Sequence, residues 1–273
     1  MSSVAQSDEP AEPPTCILYV VNLFDEPGKF AAIKERLNDA PWIDVVRIEA
    51  VPGSTLPDNV AYKLTRDPYS IKAKGALGCF LSHLRIWELI AASRHEWAFV
   101  VEDDAHLSNI HCLRNFQYPP SVDLIFVNDR MQPRDSEIDL RSDRARFIFS
   151  EIVESLLRVD ARRQAVGTDG YLISRSGALK LIAATKTDLY FGHIDMRLLA
   201  YSIPKDQRYA TRASNDSWLL REVCQIWTAC SSDLQLHAIV ASPPLTLHEP
   251  RATTSRTKED SRGTSGASPN EFM

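Results

Sequence analysis

An apolar run that ends abruptly in three carboxylates, Trp97-Ala-Phe-Val-Val-Glu-Asp-Asp-Ala-His106, constrains this chain more than any other feature. Residues 97–101 are all apolar, the run is short, and its composition favours β structure, so it predicts a buried strand. Glu102, Asp103 and Asp104 repel one another and cannot share a core, which places them just beyond the strand's C-terminal end. In open α/β sheets ligands bind along that edge. A compact cluster of oxygen donors there suits a hard cation, Mg²⁺ or Mn²⁺, of the kind that holds phosphate-bearing substrates. Acids alone would favour a solvated turn; the segment before the strand reverses that preference.

That segment reads Gly75-Ala-Leu-Gly78-Cys-Phe-Leu-Ser82-His83-Leu-Arg-Ile-Trp87-Glu-Leu-Ile90. Leu77, Phe80, Leu81, Leu84, Trp87 and Ile90 recur at helical spacing and predict an amphipathic helix. Gly75 and Gly78 are poor helix formers, so they point to a start that requires close backbone approach. Ser82 and His83 border the apolar stripe, where an ordinary helix-surface pair is the simplest reading.

Elsewhere the pattern predicts strands at 16–21, 45–48, 122–127, 171–174 and 236–241, and helices at 30–37, 177–184 and 194–201. Residues 52–70 carry Gly and Pro without a clear period and read as a loop, as do the polar residues 131–145, whose length would also suit a lid. The alternation predicts α/β layers in one domain over residues 15–250, with disordered segments at 1–14 and 251–273.

The net charge of −5 gives no support to nucleic-acid binding. Arginines between 130 and 146 and between 158 and 163 are interspersed with acids and read as solvated faces, or as contacts to a phosphorylated acceptor or anionic membrane surface. Five scattered cysteines without a Cys-x-x-Cys pair predict reduced, mostly buried thiols. His106 and His111 near Cys112 lack the number and spacing of a zinc site. Residues 1–14 lack the basic and apolar regions of a secretory signal, and no apolar run reaches transmembrane length. The expectation is a cytoplasmic protein, with peripheral contact at the inner face of a membrane where its acceptor resides.

Gly-x-x-Gly-Cys-Phe-Leu-Ser-His-x-x-x-Trp over 75–87, followed by a strand and Glu102-Asp103-Asp104, resembles glycosyltransferase family 25, the lipopolysaccharide-type glycosyltransferases. The resemblance continues at Gly167-Thr-Asp169-Gly170-Tyr171 through Ile182, and more faintly at His193-Ile-Asp195, at Pro243 to His248 and at Ser255. It implies a GT-A-like, Rossmann-type mixed sheet flanked by helices, a nucleotide-sugar donor (commonly UDP-galactose), a divalent metal and inversion at the anomeric carbon. It further implies that Asp104 ligates the metal, with Glu102 also in the metal's reach. Glu102 or Asp103 would contact ribose or a metal-bound water, Ser82 and His83 would line the donor pocket, and His248 would complete the metal shell. Where the family carries an arginine-rich turn after its first strand, this chain has Phe24-Asp-Glu-Pro-Gly-Lys29, and no arginine follows until Arg36.

Sugar transfer also needs a carboxylate to take the acceptor's proton. Asp195, at a predicted helix start, is the first candidate, Asp169 the second and Asp216 the third; each reads equally as a helix-dipole partner or turn residue. Tyr171 and Trp218 could stack on a sugar face, although aromatics serve more often in packing. The expected activity is metal-dependent hexosyl transfer, galactosyl in the first instance, to a saccharide or lipid-linked saccharide acceptor in lipopolysaccharide or surface-glycan synthesis. Two alternatives stand beside it. One is metal-dependent nucleotidyl or phosphoryl transfer, against which the absence of a phosphate-binding loop counts. The other is an inactive family member serving as a binding partner.

Overall fold

The computed structural model describes residues 16–65, 71–72, 74–114, 116–132, 147–158, 167–188, 193–208, 218–230 and 233–247. The expected terminal segments, most of the 131–145 loop, Asp216, His248, Ser255 and the side chain of Trp218 lie outside these residues.

Among the described residues, seven strands form one mixed sheet: β1 (Cys16–Asn22), β2 (Ile43–Glu49), β3 (Trp97–Glu102), β5 (Leu124–Phe126), β6 (Ile148–Glu151), β7 (Tyr171–Ser174) and β8 (Ala238–Ser242). A two-stranded ribbon joins β4 (His106–Leu107) to β9 (Thr246–Leu247). The sheet order is β2-β1-β3-β7-β5-β8-β6. Strands β1 and β2, β1 and β3, and β5 and β8 run parallel, while β7 is antiparallel to both of its neighbours and β6 to β8. All seven residues of β1 are buried, as expected of a strand covered on both faces.

The helices are α1 (Pro27–Arg36), α2 (Asp58–Leu64), α3 (Gly75–Ala92), α4 (Ile152–Arg158), α5 (Arg175–Thr185), α6 (Ile194–Ser202) and α7 (Trp218–Ala229). Alternate side chains of each strand divide between two cores. Tyr19, Ala98, Val100, Tyr171 and Ile173 face the layer built from α3, α5 and α6, while Leu18, Val20, Phe99, Val101 and Leu172 face α1 and the segment after β3. This is the α/β mixed sheet flanked by helices that the sequence predicts.

Two details correct the sequence reading. Residues 52–70 are not simply loop, since α2 forms there behind Pro57, which supplies an extended N-cap. In α3, Leu77, Phe80, Ile86, Trp87 and Ile90 are buried, but Leu81 and Leu84 are only half-buried, so the stripe lies further toward Ile86 than the apolar spacing suggests. Gly78 fulfils the close-approach expectation: a Cβ there would overlap the Val51 carbonyl and crowd the backbone of Gly53.

Candidate active site

The parallel strands β1, β3, β5 and β8 all point their C-terminal ends to one edge of the sheet. Because β7 is inverted, its N-terminal end reaches the same edge. The β3–β7 register pairs Val100 with Tyr171; two residues further on, Asp169 falls opposite Glu102. One strand reversal therefore brings together two carboxylate-bearing segments separated by more than sixty positions in sequence.

Glu102 ends β3, and Asp103 and Asp104 form the turn that follows. Asp103 is turned toward β1. Its Oδ2 accepts from Asn22 Nδ2 at 2.7 Å, and its Oδ1 lies 3.5 Å from Lys29 Nζ. Asn22 also donates to the Glu26 carbonyl at 2.9 Å, so a single buried amide ties the strand end, the acidic turn and the start of α1 together. Lys29, ion-paired with Glu26 as well, supplies a cation in the turn where the arginines are missing.

Glu102 accepts a short hydrogen bond from the Thr168 hydroxyl and lies 3.8 Å from both Cys79 Sγ and His83 Nε2. Asp104 carries the strongest electrostatic signature among the acids: burial, then the charges of Glu102, Asp169 and Asp103, push its carboxyl up to about 7. Asp169 is pushed up to about 6, first by burial and then by Glu102 and Asp195, against the opposing pull of Arg130, whose Nε lies 3.1 Å from Asp169 Oδ2. Five carboxylates, Glu102, Asp103, Asp104, Asp169 and Asp195, thus act on one another directly or through a shared neighbour. Asp195 occupies the first turn of α6, where its Oδ1 accepts from the Met196 amide at 2.9 Å.

Ser82 and His83 are fully buried and present no surface to a donor in this conformation. The Ser82 hydroxyl donates to the Gly78 carbonyl at 2.7 Å and accepts from the Val51 amide at 2.8 Å, pinning α3 to the segment after β2. His83 Nδ1 and Tyr171 Oη share a 2.7 Å hydrogen bond, and Trp87 Nε1 donates to the same phenol at 3.1 Å. Tyr171 is therefore a core residue that orients His83, the packing role expected of most aromatics, and it is not placed to stack on a sugar. His248 follows β9, whose Leu247 pairs with His106, two positions beyond Asp104; the histidine itself is outside the described residues.

Four contributors were not singled out from sequence: Asn22, Lys29, Thr168 and Arg130. Asn22 had a visible signal, a polar residue closing an apolar strand on the edge where ligands bind. Thr168 lies inside the family-like 167–171 segment but reaches Glu102 only through the reversal of β7, and Arg130 reaches the same edge at the C-terminal end of β5.

The class the structure defines is a mixed α/β sheet with helices on both faces and a cluster of carboxylates at the C-terminal edge of its parallel strands. The family model for glycosyltransferase family 25 (LPS biosynthesis protein) matches residues 16–194, and the chain belongs to this family. It is similar to a Drosophila melanogaster glycosyltransferase 25 family member, 26% identical over 186 residues, covering 63% of this chain and 28% of that protein. It is also similar to human procollagen galactosyltransferase 2, 29% identical over 159 residues, covering 52% and 23%. A bovine relative described as "Probable inactive glycosyltransferase 25 family member 3" is 27% identical over 186 residues, covering 61% and 28%. The matched region thus spans about a quarter of the length of these curated relatives.

Proposed function

We propose that the chain transfers a hexose, galactose in the first instance, from a UDP-sugar to a saccharide or lipid-linked saccharide acceptor with inversion, in lipopolysaccharide or other surface-glycan synthesis. The observation that carries this reading is the convergence of the β3 acidic turn with the Thr168-Asp169 segment in a chain of this family. The galactosyl assignment draws on the name of the human relative.

The donor set fits a hard divalent cation. It is oxygen-rich, and the upward push on Asp104 arises, beyond burial, from neighbouring negative charge that such an ion would neutralise. Asp104 and Glu102 would hold it. When bound, Mn²⁺ or Mg²⁺ would offset charge developing on the departing diphosphate. Asp103, fixed by Asn22 and Lys29, shapes the turn and would face the donor's ribose, and Lys29 would add a positive charge beside the acids.

Proton removal from the acceptor hydroxyl falls to Asp195. It lies at the rim of the cluster, outside the metal-holding pair, and within electrostatic reach of Asp169. Asp169, already paired with Arg130, holds the wall opposite Glu102 and is the second candidate.

An inactive member acting as a binding partner is the second reading. It is favoured by the bovine relative and by the absence of arginines in the turn after β1. Calorimetric titration with UDP, with and without Mn²⁺, tests the proposal: metal-enhanced UDP binding supports it, and no binding in either condition supports the inactive reading.

A further inference from the structure

Cys79 Sγ, His83 Nε2 and a carboxylate oxygen of Glu102 all lie within 4.8 Å of one another. We propose that these three side chains bind a thiophilic divalent ion of the zinc type, at a site that shares Glu102 with the oxygen-rich cluster but selects a different metal.

Cys79 and His83 are four residues apart on α3, so both project from one face of the helix toward the end of β3. His83 Nε2 lies 3.8 Å from Glu102 Oε1, as does Cys79 Sγ. For the imidazole this is too long for a hydrogen bond. It is close to the spacing of two ligands on one tetrahedral ion, roughly 3.3–3.8 Å for metal–ligand bonds of about 2.0–2.3 Å. His83 is fully buried, and its Nε2 has no hydrogen-bond partner. A buried ring nitrogen aimed at a thiol and a carboxylate, with nothing on it, is an incomplete arrangement that an ion completes.

The other ring nitrogen supports the same conclusion. Ligating histidines typically donate their second N–H to a fixed acceptor, which sets the tautomer. The two lone pairs of Tyr171 Oη can accept from both Trp87 Nε1 and His83 Nδ1, placing the proton on Nδ1 and freeing the Nε2 lone pair. Thr168 donates to the same Glu102 Oε1 that faces Cys79 and His83, which fixes the carboxylate and leaves that oxygen's second lone pair for the ion. On binding, the Cys79 S–H bond breaks, its proton leaves to solvent, and a sulfur–metal bond forms.

Thiolate and imidazole ligands favour Zn²⁺ or Co²⁺ over Mg²⁺ and Mn²⁺. Three protein ligands leave a fourth position open to water or a substrate oxygen. An ion here would also engage Glu102, so Zn²⁺ would weaken Mn²⁺ binding at the neighbouring acids.

The test is titration of chelator-treated full-length protein with Co²⁺ as an optical probe. The expected result is a thiolate-to-cobalt charge-transfer band in the near ultraviolet, saturating at one ion per chain, displaced by Zn²⁺ and not by equimolar Mn²⁺. Cys79→Ser should abolish the band, and Asp104→Asn should retain it. His83→Gln should also abolish it, but that site is fully buried, so Cys79→Ser, at a half-buried position, is the decisive variant. No band in the parent protein, as expected if Tyr171 instead donates to Nδ1 and leaves Nε2 protonated, would overturn the proposal. So would a band that survives Cys79→Ser and therefore belongs to another cysteine. The readout is spectral, so failure here leaves UDP binding with Mn²⁺ free to succeed or fail separately.

Discussion

Asn22 Nδ2 donates to Asp103 Oδ2 across 2.7 Å, joining the end of β1 to the turn that ends β3. The same amide donates to the Glu26 carbonyl, so one side chain holds the acidic turn against the start of α1. Asn22→Ala removes both bonds, including the donor to the buried Asp103 carboxylate. The expected cost is about 1–3 kcal/mol in urea denaturation, together with weaker UDP binding. Unchanged stability would show that the turn holds its shape without this amide.

The raised carboxyl of Asp104 makes folding stability depend on pH. In the unfolded chain it titrates near the ordinary aspartate value, about 3.9, and in the folded protein at about 7. Between these values the folded state keeps a proton that the unfolded state has lost. Folding stability therefore falls as pH rises from about 4 to 7, and the penalty is complete above 7. Asp169, pushed up to about 6, acts in the same direction. Asp104→Asn should raise the melting temperature in chelator at pH 8 and change it little near pH 4. Mn²⁺ should raise the parent's melting temperature at pH 8 more than the variant's. A variant less stable than the parent at pH 8 would contradict this charge balance.

Tyr171→Phe separates core support from site chemistry. It removes the hydroxyl that serves both His83 and Trp87, stranding two buried ring nitrogens. A loss of about 1–3 kcal/mol is expected in equilibrium unfolding. A silent substitution would mean that the three residues pack without needing the hydrogen bonds.

The general base is tested by isosteric replacement. Asp195→Asn should preserve UDP affinity and lower turnover by roughly 10²- to 10⁴-fold, the usual contribution of acid–base assistance. Asp169→Asn should instead disturb the Arg130 pair and weaken binding at the acidic cluster. If Asp169→Asn lowers turnover at constant affinity while Asp195→Asn does not, the two roles are exchanged.

The pieces that local pattern governs were legible in the sequence. The Trp97–Val101 run became β3, the Gly75–Ile90 period became α3, and the three acids fall at the strand end as electrostatic repulsion requires. What could not be read was which distant segments meet there. The period of Tyr171–Ser174 announces a strand without its direction, and direction alone decides whether Asp169 lies beside Glu102 or at the far edge of the sheet. The residue pattern read Ser82 and His83 as a helix-surface pair, and their donor-pocket role came from the family resemblance alone. A helix period cannot tell that the Ser82 hydroxyl meets the Val51 amide, or that His83 is sealed behind Tyr171. Residues 58–64 were missed as a helix because Pro52, Gly53 and Pro57 dominate the local signal, although Pro57 in fact introduces α2.

The most direct measurement is calorimetric titration of the parent protein and Asp104→Asn with UDP, in the presence and absence of Mn²⁺. The expected result is UDP binding that Mn²⁺ strengthens at least tenfold in the parent, a difference of about 1.4 kcal/mol, with no such enhancement in Asp104→Asn. Equal Mn²⁺ enhancement in both proteins would remove the acidic turn from the donor site. An absence of UDP binding in the parent would contradict the transferase reading itself.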